Sequence, residues 1–259
     1  MKIGIFDSGI GGLSVLPALR RALPHADLLY YADEKNVPYG EKTPAEILSF
    51  SMRAVDFLVS MGASAIIVAC NTATSVAITA LREKYESGEN PIPIVGMEPA
   101  VKPAVSLSGG GRVLVAATPV TVRGSKLRLL LERFDPGRLA DTLPLPGLVR
   151  LAESGLFGTD TADDYIKAEL ARFDLKKYSA LVLGCTHFNY FKDSFSRILP
   201  EGVRIVDGVD GTVRRLVSRL ESKDTVANGE MEFFISGERA SDESRFLRLI
   251  ARLEEMEKI

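Results

Sequence analysis

Short apolar runs alternate with amphipathic stretches from the first residues onward, and this alternation constrains the fold more than any single motif. "KIGIF" (Lys2–Phe6), "LLYYA" (Leu28–Ala32), "SAIIVA" (Ser64–Ala69) and "IPIVG" (Ile92–Gly96) read as buried strands. They are short, rich in β-branched or aromatic residues, and bounded by turn residues. Helices are expected between them at Gly12–Leu23, Pro44–Met61 and Thr72–Tyr85. Thr43 precedes Pro44 and stands three residues before Glu46, the pattern of an N-cap with a capping box and proline at the first helical position. Strands that are apolar on both faces and separated by helices call for a parallel sheet covered on both sides.

The plan then repeats. "RVLVAATP" (Arg112–Pro119) matches the first strand in position and pattern, "SALVLGCTHF" (Ser179–Phe188) matches "SAIIVACNTA" (Ser64–Ala73), and "VRIVDG" (Val203–Gly208) matches "IPIVGM" (Ile92–Met97). The spacing within the three pairs is about 110 to 115 residues, and a near-constant offset across three strands points to duplication. The expected fold class is therefore α/β, with two pseudo-symmetric doubly wound domains, mainly parallel sheets and a cleft between them. The last stretch departs from the repeat: a basic amphipathic helix at Gly211–Lys223, a strand at Glu230–Gly237 and a helix at Ser241–Lys258, with Ser241 as its cap. These elements are expected to return to the first half. The first domain would then comprise residues 1–97 plus 208–259 and the second residues 98–207.

A net charge of −2 offers no basic surface for nucleic acid. No apolar run approaches the roughly 20 residues that cross a bilayer, and "MKIGIFDSG" has a strand pattern rather than that of a leader. The expectation is a cytoplasmic protein whose cysteines are reduced.

There are two cysteines, Cys70 and Cys185, each at the seventh place of the repeated strand segment. A free cysteine is commonly just a small buried hydrophobe. Here, however, both lie between a strand's C-terminal end and a helix N-terminus. An α/β fold exposes its site there, and partial positive charge there lowers a thiol pKa. If the halves face each other, the two thiols approach one cleft from opposite sides. Inverting a stereocentre needs that arrangement: one base takes the α-proton from one face, and a second acid returns a proton to the other. Asn71-Thr72 and Thr186-His187 follow the two thiols and offer donors for a carboxylate, and His187 is placed to control the protonation of its neighbour; the alternative for His187 is an exposed bystander. Zinc is a weaker reading of Cys70, Cys185 and His187, because the spacing is unusual and no fourth ligand is near in sequence.

"FDSGIGGLS" (Phe6–Ser14) opens a helix after the first strand and approaches a dinucleotide fingerprint, with Ser14 in the place of the third glycine and Asp33 near the position of a ribose-binding acid. Against a nucleotide-binding module stands Asp7 at the strand tip, where a carboxylate would repel a pyrophosphate. Asp7 either satisfies its own turn or serves a site.

"FDSGIGG", "YYADEKNVPYG" (Tyr30–Gly40), "VACNTA" and "GCTHF", in this order and spacing, resemble the signature segments of the glutamate racemases, and the resemblance spans nearly the whole chain. It implies that Cys70 and Cys185 are the acid/base catalysts, Cys70 for the D-enantiomer and Cys185 for the L-enantiomer. It implies further that Asp7 and His187 assist them and that Glu153 belongs to the site. Ser8, Tyr39, Gly40, Asn71, Thr72, Thr118 and Thr186, with Asp7 and His187, would contact the amino acid. No cofactor and no metal are implied, the partners would be L- and D-glutamate and a second copy of the chain in a homodimer, and the product would supply D-glutamate for peptidoglycan. Related aspartate racemases usually carry Glu where His187 stands; a racemase for aspartate or another amino acid is the alternative. The chain departs from the family at Leu145-Pro146 (usually Cys-Pro), Arg150 (usually Pro), Gly124 and Leu127 (often Ser and Tyr) and Asn189 (usually Pro).

Overall fold

The structure, a computed structural model, describes residues 1–220 and 228–259. In the first half β1 (Lys2–Asp7) leads through a 3-10 turn at Gly11–Ser14 into α1 (Val15–Ala22), followed by β2 (Asp27–Ala32), α2 (Pro44–Ser60), β3 (Ala65–Val68), α3 (Asn71–Tyr85), β4 (Ile94–Gly96) and α4 (Val101–Leu107). The second half carries β5 (Arg112–Ala117), α5 (Pro119–Arg123), α6 (Ser125–Phe134), β6 (Ala140–Pro144), α7 (Pro146–Glu153), α8 (Asp160–Leu170), β7 (Tyr178–Gly184), a 3-10 segment Thr186–Phe191, α9 (Lys192–Ile198) and β8 (Arg204–Asp207). Then come α10 (Val209–Val217), β9 (Met231–Ile235), β10 (Glu238–Arg239) and α11 (Glu243–Met256).

The sequence repeat has a direct counterpart in the topology. The first sheet contains the order β2-β1-β3-β4 and the second is β6-β5-β7-β8, so each half places its strands in the order 2-1-3-4. All pairings within these two sets are parallel. β9 extends the first sheet by pairing in parallel with β2, and β10 closes that edge as the antiparallel arm of a hairpin. Ser236 and Gly237, both at positive φ, form the hairpin's two-residue turn.

Alternate residues of each central strand serve opposite faces. Ala65 and Ile67 of β3 join one buried cluster and Ile66 and Val68 another; Leu181 and Leu183 of β7 join the first of these and Ala180 and Val182 a third. The cluster fed by both sheets is thus continuous across the two halves, while each outer face has its own core.

Several expected boundaries shift by a residue or two, as at β4, which begins at Ile94, and three differences have a clear local cause or consequence. Gly11–Ser14 forms a 3-10 turn and α1 begins only at Val15, because the paired glycines are poor helix formers and are packed against Thr186 and His187 on one side and Asp7 and Ala69 on the other. The basic amphipathic helix starts two residues before Gly211 and ends at Val217, and Glu221–Lys223 lie outside the described residues. The final helix is capped by Asp242, whose carboxylate accepts from Ser244 N–H at 3.0 Å, and not by Ser241. Thr43 and Glu46 do form the reciprocal capping box on α2.

Candidate active site

The C-terminal ends of the central strands of both sheets converge on one buried region. Asp7 ends β1, Cys70 caps α3 just beyond β3, Thr118 follows β5 and caps α5, and Cys185 follows β7. Cys70 and Cys185 are 5% and 6% exposed, and Asp7, Ser8, Asn71, Thr72, Thr118, Thr186 and His187 are all buried around them. His187 is 2% exposed, which excludes the bystander reading.

The loop Asp7–Ile10 contacts Cys70 directly and reaches Cys185 through Glu153 and His187. Ser8 Oγ accepts from the Cys70 thiol at 3.5 Å. Asp7 Oδ1 accepts from Gly9 N–H at 3.0 Å, and its Oδ2 accepts from the Thr186 hydroxyl at 3.0 Å, a bond between the two halves. Glu153, at the end of α7, accepts through Oε1 from Ile10 N–H at 2.9 Å and from His187 Nε2 at 2.5 Å. His187 Nδ1 faces Cys185 Sγ at 3.9 Å. Two glycines make this approach possible: a Cβ on Gly9 would stand 1.9 Å from the Glu153 carboxylate, and one on Gly11 would stand 2.5 Å from Thr186 Oγ1 and 2.6 Å from His187 Nδ1.

The two thiols have unlike surroundings. Cys70 does receive the helix N-terminus expected from the sequence, with Ala73 N–H 3.4 Å from its sulfur. Burial nonetheless pushes the thiol up from 9.0 to about 12, and the negative charge of Asp7 adds to it. A helix N-terminus contributes about 0.3–1 kcal/mol, against about 1.4 kcal/mol for each tenfold change in proton affinity, so burial wins and the expected lowering is reversed. Burial likewise raises Asp7 from 3.8 to about 6, against the lowering effects of His187 and of its two hydrogen bonds. For His187 burial opposes the charge, but the hydrogen bonds to Cys185 and Glu153 prevail and raise it well above 6.5. Burial also opposes the charge on Glu153, and the hydrogen bond from His187 prevails to lower it. The pair is therefore imidazolium and carboxylate, with Nε2–H donating to Glu153 and Nδ1–H directed at the Cys185 sulfur.

A second cluster joins the halves beside Cys70. Thr72 Oγ1 lies 2.8 Å from Thr118 Oγ1, which lies 3.0 Å from Thr121 Oγ1. Gly40 packs on Thr118 so closely that a Cβ would stand 2.9 Å from the threonine Cβ. Tyr39 is buried with its hydroxyl on Asp33 Oδ2 at 2.6 Å, and Asp33 also accepts from Asn36 and from Ser236. Asp33 is thus occupied in holding Tyr39 rather than free for a ribose. The Asn71 side chain lies 3% exposed with neither its oxygen nor its nitrogen partnered among the described residues. No group of three or more His, Cys, Asp or Glu side chains suits a metal ion among the described residues.

All twelve sequence-derived site residues fall in or against this region. Reading the sequence did not single out Thr121 or the tyrosines Tyr30 and Tyr190. Thr121 stands three residues after Thr118 in a cap pattern that was available; the tyrosines act over separations of 21 and 180 residues and carry no local signal.

The two halves place buried thiols, a carboxylate–imidazolium pair and a cluster of hydroxyls at the C-terminal ends of their central strands, a site equipped for acid–base chemistry. The chain belongs to the Asp/Glu/hydantoin racemase family, whose model matches residues 10–216. It is an amino-acid racemase, and full-length relatives in that family include glutamate racemases. The glutamate racemase of Campylobacter curvus is 51% identical, covering 99% of this chain and 98% of its own. Among solved structures, Escherichia coli glutamate racemase in complex with L-glutamate and the activator UDP-MurNAc-Ala superposes with a TM-score of 0.82 at 34% identity, covering 97% and 94% of the two chains. Francisella tularensis glutamate racemase in complex with D-glutamate gives 0.80 at 30% identity, covering 98% and 93%.

Proposed function

We propose that this protein interconverts L- and D-glutamate by a two-base proton transfer at Cα, with Cys185 and Cys70 on opposite faces of the substrate. The observation that carries this reading is the pair of thiols at equivalent strand ends of the two halves, Cys70 in contact with Ser8 of the loop after β1 and Cys185 linked to the same loop through His187 and Glu153. Their electrostatics divide the labour. Cys70 is held as a neutral thiol, while the sulfur of Cys185 faces the Nδ1–H of an imidazolium.

From L-glutamate, the Cys185 thiolate takes the Cα proton. The electron pair of the C–H bond stays on the α-carbon and delocalises into the α-carboxyl group, and the Cys70 thiol gives its proton to the opposite face. Cys185 ends as thiol and Cys70 as thiolate, which is the charge state that starts the reverse reaction. Ser8 donates to the Cys70 sulfur when it is a thiolate and accepts from it when it is a thiol, and the His187 imidazolium, held by Glu153, donates to the Cys185 sulfur. Asp7 and Thr186 join the two sides. The unpartnered Asn71 amide, with Thr72, Thr118 and the Tyr39-Gly40 backbone, is suited to binding the substrate's carboxylates and ammonium.

The same reading includes a division of the chain into 1–97 plus 208–259 and 98–207, a homodimer, and a cytoplasmic role supplying D-glutamate for peptidoglycan without a cofactor. Among the described residues no helix is long and apolar enough to cross a membrane. In heavy water, early product should carry deuterium at Cα while recovered substrate remains protiated. Equal labelling of both pools at low conversion would rule out two bases. Cys70→Ala and Cys185→Ala should each abolish racemisation in both directions.

A further inference from the structure

The Gly9 and Ile10 peptides make four bonds that define how the two site carboxylates are aimed. Gly9 N–H donates to Asp7 and Ile10 N–H to Glu153. On the other side, Gly9 C=O accepts from the Tyr30 hydroxyl at 2.6 Å and Ile10 C=O from the Tyr190 hydroxyl at 3.1 Å. Gly9 C=O and Ile10 N–H belong to one planar peptide, so the bond from Tyr30 and the bond to Glu153 share an amide, and the bond from Tyr190 faces the bond to Glu153 across Ile10. Tyr30 comes from β2, in the first half, and Tyr190 from the segment that carries His187, in the second. Tyr190 therefore ties the loop to the half that supplies Cys185.

We propose that Tyr30 and Tyr190 are positioning residues of the racemisation, acting on the Glu153–His187 pair through Ile10 N–H, Tyr30 by holding the Gly9–Ile10 peptide plane and Tyr190 by holding the carbonyl on the other side of Ile10. Both side chains are fully buried and their rings are fixed by packing. Tyr30 lies against Phe233 and Phe246, and Tyr190 stacks on Phe157 with ring centroids 5.0 Å apart. A hydroxyl on a ring held in this way has one direction, and a carbonyl that accepts from it fixes the peptide plane and so the N–H beyond. Burial raises both phenols well above 10.0, and both remain donors. The two anchors are unequal. Ile10 C=O also accepts from Leu13 N–H at 3.2 Å, whereas Tyr30 is the partner of Gly9 C=O among the described residues.

This inference rests on the two-base reading above. The test is a pair of double-mutant cycles on the full chain, with kcat and KM for L- and D-glutamate and the unfolding temperature read for every variant. Tyr30→Phe and Tyr190→Phe keep the rings. Tyr30→Phe should lower kcat about tenfold, since small misplacements of catalytic groups are costly, with KM within about twofold, and Tyr190→Phe should lower it less because Leu13 remains. The effects of Tyr30→Phe and Tyr190→Phe should both nearly vanish in a Glu153→Gln background, because each acts through the group already removed, and the effect of Tyr30→Phe should persist in an Asp7→Asn background. Tyr178→Phe, whose hydroxyl sits on Asp141 in the second sheet, should leave kcat unchanged.

Wild-type kcat in both single variants overturns the proposal. So does an undiminished loss in the Glu153→Gln double variants, which would mark a general loosening. If Tyr30→Phe does not fold, the Tyr190→Phe and Glu153→Gln cycle decides alone. Retained activity in Cys185→Ala would instead sink the two-base reading and leave these cycles interpretable as positioning of another acid.

Discussion

Replacing Glu153 by glutamine isolates the charge of one carboxylate in the site. The substitution keeps shape, and a glutamine Oε1 still accepts from Ile10 N–H and from a neutral His187 Nε2–H, which hold Glu153 at 2.9 and 2.5 Å in the native protein. What disappears is the negative charge that holds His187 as an imidazolium. Burial then acts unopposed from that side and returns the ring toward neutrality, so the Nδ1–H charge facing Cys185 is lost. A hydrogen bond to a charged group contributes about 1.5–3 kcal/mol, which corresponds to about 10- to 150-fold in rate. Circular dichroism of L- and D-glutamate interconversion measures this directly. Because enantiomers have equal free energy in water, kcat/KM must fall by the same factor in both directions, and any asymmetry appears in kcat.

The same variant reports on stability. His187, raised above 6.5, contributes stability that is fully present below 6.5 and is lost as pH rises through its elevated native value. Glu153, lowered from 4.5, contributes stability present above 4.5 and lost as pH falls through its depressed native value. The pair therefore contributes most between about 4.5 and 6.5, and the denaturant midpoints of native protein and Glu153→Gln should differ most in that window. Unchanged kcat/KM, or a midpoint difference that is flat with pH, would refute the ion-pair reasoning.

Asp7 makes the opposite case. Its native value of about 6 lies above the ordinary 3.8, so its stabilising protonated form is fully present below 3.8 and is lost as pH rises through about 6. Asp7→Asn should therefore gain up to about 3 kcal/mol over the native protein at pH 8 and almost nothing at pH 4, while losing most activity; equal stability at pH 8 would contradict this. Asn71→Ala removes two buried polar atoms that have no partner among the described residues, each costing about 1–3 kcal/mol when left unsatisfied. The variant should melt at a higher temperature while KM for glutamate rises about tenfold or more, and a fall in melting temperature with unchanged KM would show that the amide serves the fold rather than the ligand.

Much of the architecture is legible in the chain because it is written in local pattern. Periods of two and 3.6 mark the strands and helices, and an offset of about 110 to 115 residues marks the two halves, whose common 2-1-3-4 strand order follows. The thiols were legible too: strand–Cys–helix occurs twice, and an α/β sheet places its reactive groups at strand C-termini. Where local grammar is ambiguous, boundaries moved, as at the glycines before α1 and at the Asp242 cap.

Tertiary structure decided the character of the site. The sequence places Cys70 at a helix N-terminus, but only the enclosure of that corner determines that desolvation exceeds the helix effect and leaves a neutral thiol. Glu153 and His187 stand 34 residues apart, and Thr186 and Asp7 stand 179 apart. That His187 is charged, that Asp7 joins the two halves and that Asp33 holds Tyr39 depend on distances set by packing between elements far apart in the chain. Sequence pattern fixes which backbone each residue sits on; proton affinity depends on burial and on the charges within a few ångströms, and these exist only once the two halves have closed around the same loop.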